Sequence, residues 1–110
     1  GTHLAGIVSA YGGKDGKGIF GVAPGANLQV LKVCNDDGAC FADDVLAGLY
    51  TAAQQNSAVV LMSFGMPHKL WFMNVFFENH ENILFISAAG EKRSMFYPAF
   101  NENIVSNLTY

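Results

Sequence analysis

The chain has 110 residues, 51% of them hydrophobic and 14% charged, with a formal net charge of -3. That balance favours burial over disorder, and the length allows one small domain. The six Lys and Arg residues form no basic stripe, which argues against a nucleic-acid partner, and no apolar stretch is long enough to span a membrane. The chain is unusually apolar for its size, since a domain this small leaves much of its surface in water. Some of its faces are therefore expected to be covered by further polypeptide.

In chain order, residues 2–10 are small and apolar, with Leu4, Ile7 and Val8 at helical spacing. Tyr11-Gly12-Gly13-Lys14-Asp15-Gly16-Lys17-Gly18 is a turn-forming stretch, and Gly21-Val22-Ala23-Pro24-Gly25-Ala26 continues as loop because Pro24 interrupts regular structure. Residues 27–33 alternate Leu28 and Val30 toward a β-branched end and predict a strand. Asp43 and Asp44 suit a helix start, where carboxylates meet the positive end of the peptide dipoles. Val45, Leu46, Leu49, Ala52 and Ala53 carry that helix to about Gln55.

Residues 58–62 form a short continuous apolar run, the pattern of a strand buried on both faces. A second helix is predicted over 68–81, with Pro67 at its entry. Its residues Trp71, Phe72, Phe76 and Phe77 cannot all be buried in so few layers, so poor solubility is expected of the isolated chain. Residues 83–87 predict another buried strand, and 104–106 begin one more. The alternation of strand and helix predicts a parallel α/β fold with right-handed crossovers.

Cys34 and Cys40 flank the turn residues Asn35-Asp36-Asp37-Gly38-Ala39. The spacing allows a local disulfide and equally allows two free thiols. No zinc site is expected at this pair, because no second Cys or His pair stands at the usual spacing. Gly16-Lys17-Gly18-Ile19-Phe20-Gly21 matches G-x-G-x-x-G, but turn residues precede it and a proline-containing loop follows, so it lacks the strand-to-helix setting of a dinucleotide site. His68 and His80 mark the ends of the second predicted helix and cannot form a ligand pair on one turn; capping or surface roles fit them. Asn107-Leu108-Thr109 is a glycosylation sequon, a pattern common by chance.

Several strings, in order, resemble the subtilisin-like serine proteases, the subtilase (peptidase S8) family. They are Gly1-Thr2-His3-Leu4-Ala5-Gly6, then Gly21-Val22-Ala23-Pro24-Gly25-Ala26 with Leu31-Lys32-Val33, then Val60-Leu61-Met62-Ser63-Phe64-Gly65, then Ser87-Ala88-Ala89-Gly90-Glu91, and finally Tyr97-Pro98-Ala99. The resemblance implies an α/β fold with helices on both faces of a parallel sheet, here the central part (residues 1–110) of a three-layer catalytic domain truncated at both ends. In the family the first string directly follows the catalytic histidine, so His3 matches a structural histidine. The motifs of the catalytic aspartate and serine are absent, and Asp15, Asp36, Asp37, Asp43 and Asp44 stand in the wrong context to substitute. The isolated chain is therefore expected to be inactive.

The resemblance also implies a peptide or protein substrate lying as an added strand between two backbone edges. One edge is Gly38, Ala39 and Cys40, with Phe41 near a neighbouring subsite. The other is Ser63, Phe64 and Gly65, beyond which Met66 replaces a small residue and narrows the pocket. Ala88, Ala89 and Gly90 form the opposite wall. The family's oxyanion-hole asparagine is replaced by Glu91, which when ionised accepts hydrogen bonds and cannot donate them. Glu91 can equally be a solvated loop residue before Lys92 and Arg93. No cofactor is implied, although family members often bind calcium in the loop matching 11–20, where Asp15 is an available carboxylate; one carboxylate does not define a site. The resemblance favours a secreted protein. A catalytically dead relative that keeps a peptide-binding cleft is the alternative to an active endopeptidase, and an unrelated nucleotide-binding α/β domain is the third reading.

Overall fold

Helix α1 spans Thr2–Ser9 in the computed structural model, which describes residues 1–64, 71–88 and 108–109. The chain divides into two compact units, Gly1–Lys32 and Val33–Tyr110.

The first unit is organised by backbone hydrogen bonds more than by a core, since α1 buries none of its residues and leaves Leu4 and Ile7 exposed. The last carbonyls of a helix lack intrahelical partners. Here the following loop supplies them. Val22 N–H donates to Ile7 O at 3.0 Å, Ala23 N–H to Val8 O at 2.8 Å, and Gly21 N–H to Ala10 O at 2.7 Å. That is the structural work of the Gly-Val-Ala-Pro string. A Cβ on Gly21 would lie 2.6 Å from Ser9 N and 2.7 Å from Val8 O, a contact that only the absence of a side chain permits. Gly21→Ala should therefore destabilise the protein by about 1–3 kcal/mol, the range for overpacking against backbone that cannot move aside; equilibrium denaturation checks this.

Between helix and loop lies a hairpin closed by an antiparallel bridge from Tyr11 to Phe20. Gly12 N–H donates to Ile19 O, Gly18 N–H to Gly12 O, and the Asp15 carboxylate accepts Lys17 N–H at 3.1 Å. The glycine-rich stretch is thus a hairpin tip. It is not a strand-to-helix turn, so the dinucleotide spacing carries no site.

The predicted strand over 27–33 is not realised: these residues run outside any sheet, with Leu28, Val30 and Leu31 exposed. Alternation marks a two-faced segment, but a strand also needs a neighbouring stretch to complete its ladder, and none of the described residues takes that place.

In the second unit, helix α2 spans Ala42–Gln54 with Asp43 and Asp44 in its first turn, as their charge predicts. Val45, Leu49 and Ala52 form its buried stripe. The helix closes with Asn56 in the left-handed region (φ 57°), while Asn56 N–H donates to Ala53 O and Ser57 N–H to Ala52 O. This paired reversal is the Schellman ending, with asparagine in the place usually taken by glycine.

Strand β1 (Val59–Met62), helix α3 (Trp71–Glu78), strand β2 (Leu84–Ser87) and strand β3 (Leu108–Thr109) complete the order. The strands form one sheet in the order β1-β2-β3, parallel throughout, with Val59 opposite Leu84 and Met62 opposite Ser87. The architecture is the parallel α/β class expected from the alternation of elements. β3 lies just beyond the predicted start at 104–106, and residues 104–107 are outside the described set, as are 68–70 at the start of the second predicted helix.

The core of this unit gathers Val45 and Leu49 from α2, Met62 from β1, Met73, Phe76 and Phe77 from α3, and Ile83 and Phe85 at β2. It lies on the sheet face that bears Met62 and Phe85. On the other face Val59, Leu61 and Leu84 are 53%, 48% and 40% exposed, so the continuous apolar runs are buried on one face only, where both faces were expected to be covered. Of the four aromatics of α3, Phe76 and Phe77 are fully buried, Phe72 is half-buried and Trp71 is exposed. They are indeed not all accommodated.

Candidate functional site

The first candidate edge is a small closed hairpin. Cys34 and Cys40 form a disulfide across an antiparallel bridge, with their Cα atoms 4.1 Å apart. Of the two states the spacing allows, the bonded one is present. Inside the loop, Asn35 organises the backbone with both ends of its residue. Its N–H donates to Ala39 O at 2.8 Å and its carbonyl accepts Gly38 N–H at 3.0 Å, while its side-chain Oδ1 accepts Asp37 N–H at 3.1 Å and Ala39 N–H at 2.9 Å. Gly38 turns the chain at φ +82°, a conformation that costs other L-residues about 1–2 kcal/mol. Gly38 and Ala39 are exposed, and Cys40 is half-buried against the core. Phe41 follows as the residue before α2 and is 58% exposed.

The second candidate edge and its opposite wall follow β1 and β2. The register that pairs Met62 with Ser87 brings Ser63 and Ala88 to the same end of adjacent parallel strands. Such strands lie about 4.8 Å apart within the ladder, whose last pair is Met62 and Ser87. Ser63 and Ala88 are exposed just beyond it, and Phe64 is half-buried against the same core cluster as Cys40. Behind Ala88, the Ser87 side chain is buried and its Oγ donates to Ala88 O at 3.3 Å. The described residues thus bring Ser63 and Ala88 to one sheet end, and set the Cys40 hairpin and Phe64 on one core. Gly65, Met66, Ala89, Gly90 and Glu91 lie outside the described residues.

Exposed residues at a hairpin and at a strand end can bind an extended peptide by backbone hydrogen bonding. They supply no nucleophile–base pair. The described histidines do other work. His3 sits in the first turn of α1, and His80 lies just beyond α3, where its Nδ1 is 2.7 Å from Phe76 O and its ring stacks on Phe76 at 4.0 Å. Of the capping and surface roles expected for His80, this contact with a carbonyl of the last turn is the capping one. Among the described residues, no three His, Cys, Asp or Glu side chains gather as a metal-binding group, and Asp15 already accepts a backbone N–H in its turn. No described helix is long and apolar enough to cross a membrane.

Asn35 was not singled out from the sequence, although it holds the first edge in shape. The signal was present: asparagine opening an Asn-Asp-Asp-Gly run is a turn former whose side chain bonds the backbone two residues on.

With this geometry in view, comparisons with known proteins converge. The profile described as the subtilase family, Peptidase_S8, matches residues 1–109. A subtilisin of Bacillus sp. (strain TA39) is 37% identical, covering 100% of this chain and 31% of the relative. An intracellular serine protease of Paenibacillus polymyxa is 39% identical over 61% of this chain and 20% of its own length. Among solved structures, the S41 psychrophilic protease superposes with a TM-score of 0.69 at 35% identity, covering 79% of this chain and 30% of that one. The chain spans less than a third of the length of each of these relatives.

Proposed function

The chain belongs to the subtilase family of serine proteases, and from that premise we propose that it is the central part of a catalytic domain that hydrolyses internal peptide bonds. In this reading Gly38, Ala39 and Cys40 pair with one side of an extended substrate and Ser63, Phe64 and Gly65 with the other. Ala88, Ala89 and Gly90 wall the pocket for the residue before the scissile bond. The observation that carries the reading is the parallel pairing of β1 with β2, which gives one sheet end to Ser63 and Ala88.

The chemistry needs a serine nucleophile, a histidine base, an aspartate to orient it, and donors for the oxyanion. The first three have no matching motif among these 110 residues. The isolated chain should therefore give no hydrolysis above the uncatalysed rate, whereas the full-length protein should cleave an unstructured protein such as casein. Activity of the isolated chain that survives repeated purification would refute the assignment of catalysis to other segments.

The Cys34–Cys40 disulfide supports a protein that matures in an oxidising compartment, in keeping with secretion. Glu91 supports the second reading, a relative that has lost turnover and kept a peptide cleft, because an ionised carboxylate opposes the charge that develops on the substrate oxygen. Measurable cleavage by the full-length protein decides for the enzyme; tight peptide binding without cleavage decides for the second reading.

A further inference from the structure

The disulfide is placed where it can do more than hold the fold together, and the geometry points to Cys34–Cys40 as a redox-controlled brace on the substrate edge. This inference rests on the protease reading above and adds its regulation. The bond ties the two ends of the loop whose exposed residues, Gly38 and Ala39, lead into Cys40. Their backbone is held by bonds within that loop: the Asn35 side-chain bonds to Asp37 and Ala39, the Asn35–Ala39 and Gly38–Asn35 backbone bonds, and the Cys34–Cys40 bridge. Of the residues enclosed by the bond, 35–39 are all exposed. No buried side chain of the loop's interior stands in for the covalent tie once it is cut.

A dithiol reductant cuts it. One thiolate of the dithiol attacks a sulfur of the Cys34–Cys40 bond, and the mixed disulfide is resolved by the second thiolate. The products are the Cys34 and Cys40 thiols, which gain two electrons and two protons, and the cyclic disulfide of the reductant. The core anchor of Cys40 remains, while the exposed turn loses its closure. Main-chain atoms that must be ordered before a substrate strand can pair with them then bind it less tightly, because binding has to supply the ordering.

The consequence separates long substrates from short ones. In the protease reading an extended peptide reaches the hairpin, whereas a single-residue ester lies only beside Ser63 and Ala88. In the full-length protein, a dithiol should raise KM for the extended peptide about tenfold, the scale of one lost backbone hydrogen bond. It should leave kcat, and both constants for the ester, within about twofold. The double variant Cys34→Ser/Cys40→Ser should show the raised KM without reductant and no further response to it. Amide exchange at Asp37 and Ala39, whose N–H groups Asn35 holds, should quicken on reduction. An extended-peptide KM or an exchange rate that is the same in both redox states overturns the proposal. A reductant effect of equal size on peptide and ester also overturns it, since that is general loosening. If neither substrate is hydrolysed in either state, the protease reading fails and the brace fails with it, whereas normal hydrolysis indifferent to reductant removes the brace alone.

Discussion

Replacing Glu91 with asparagine in the full-length protein should raise kcat for peptide hydrolysis by about two to three decades, with little change in KM. The magnitude is that of a single oxyanion-hole donor, roughly 3–4 kcal/mol of transition-state stabilisation. The split between the constants follows from when the charge appears. The substrate carbonyl is nearly neutral in the bound ground state and becomes an oxyanion only on attack, so a donor aimed at it acts on the transition state. The position is inferred from the string Ser87-Ala88-Ala89-Gly90-Glu91, which follows β2 in sequence from the sheet end that carries Ser63 and Ala88. Glu91→Ala removes the charge and adds no donor, so it should recover only part of the gain. If asparagine and alanine give the same rate as glutamate, Glu91 is a solvated loop residue and takes no part in the chemistry.

The largest effect on stability should come from Phe77→Ala. Phe77 is 0% exposed, and its ring packs edge to face on that of Phe85 at 4.7 Å and on that of Phe76 at 6.0 Å. Truncation removes the buried ring and leaves a cavity bounded by β2 and by α3's own neighbours. The expected cost is about 3–5 kcal/mol, a large part of the roughly 5–15 kcal/mol that holds a typical domain folded. Trp71→Ala provides the contrast on the same helix. Trp71 is larger but 73% exposed, so its loss should stay within about 0.5 kcal/mol. Denaturant midpoints of the two variants check the pair, and a cost below about 1 kcal/mol at Phe77 would contradict the core described here.

What the sequence conveyed depended on whether a signal was local. The stripe of Val45, Leu49 and Ala52 and the acidic first turn of α2 are properties of one segment, and that helix lies where its period places it. The run at 83–87 likewise became β2 to within a residue. Residues 27–33 carry an equally good alternating pattern and join no sheet, because ladder membership is decided by a second stretch of chain that the pattern does not contain. Burial was misjudged for the same reason. Val59, Leu61 and Leu84 look like core in composition, yet their face of the sheet is open.

The candidate site was legible as order and spacing of strings, and the structure adds how they are held. The Gly-Val-Ala-Pro string reads only as a loop, but its N–H groups close the end of α1. The cysteine spacing left two chemical states open, and only the fold brings the two Cα atoms to bonding distance. Asn35 carries no catalytic chemistry and drew no notice, although its side chain accepts two of the hairpin's N–H groups.

The central claim is that a substrate lies against the ends of β1 and β2, and photo-labelling tests it most directly. A peptide with a diazirine side chain on the residue before the scissile bond would be irradiated in complex with the full-length protein and the adducts located by mass spectrometry. Adducts confined within this chain to residues 63–65 and 88–90 are the predicted result, and they are expected whether or not Glu91 permits turnover. Adducts that map elsewhere in the chain, or none at a peptide concentration that saturates binding, would contradict it.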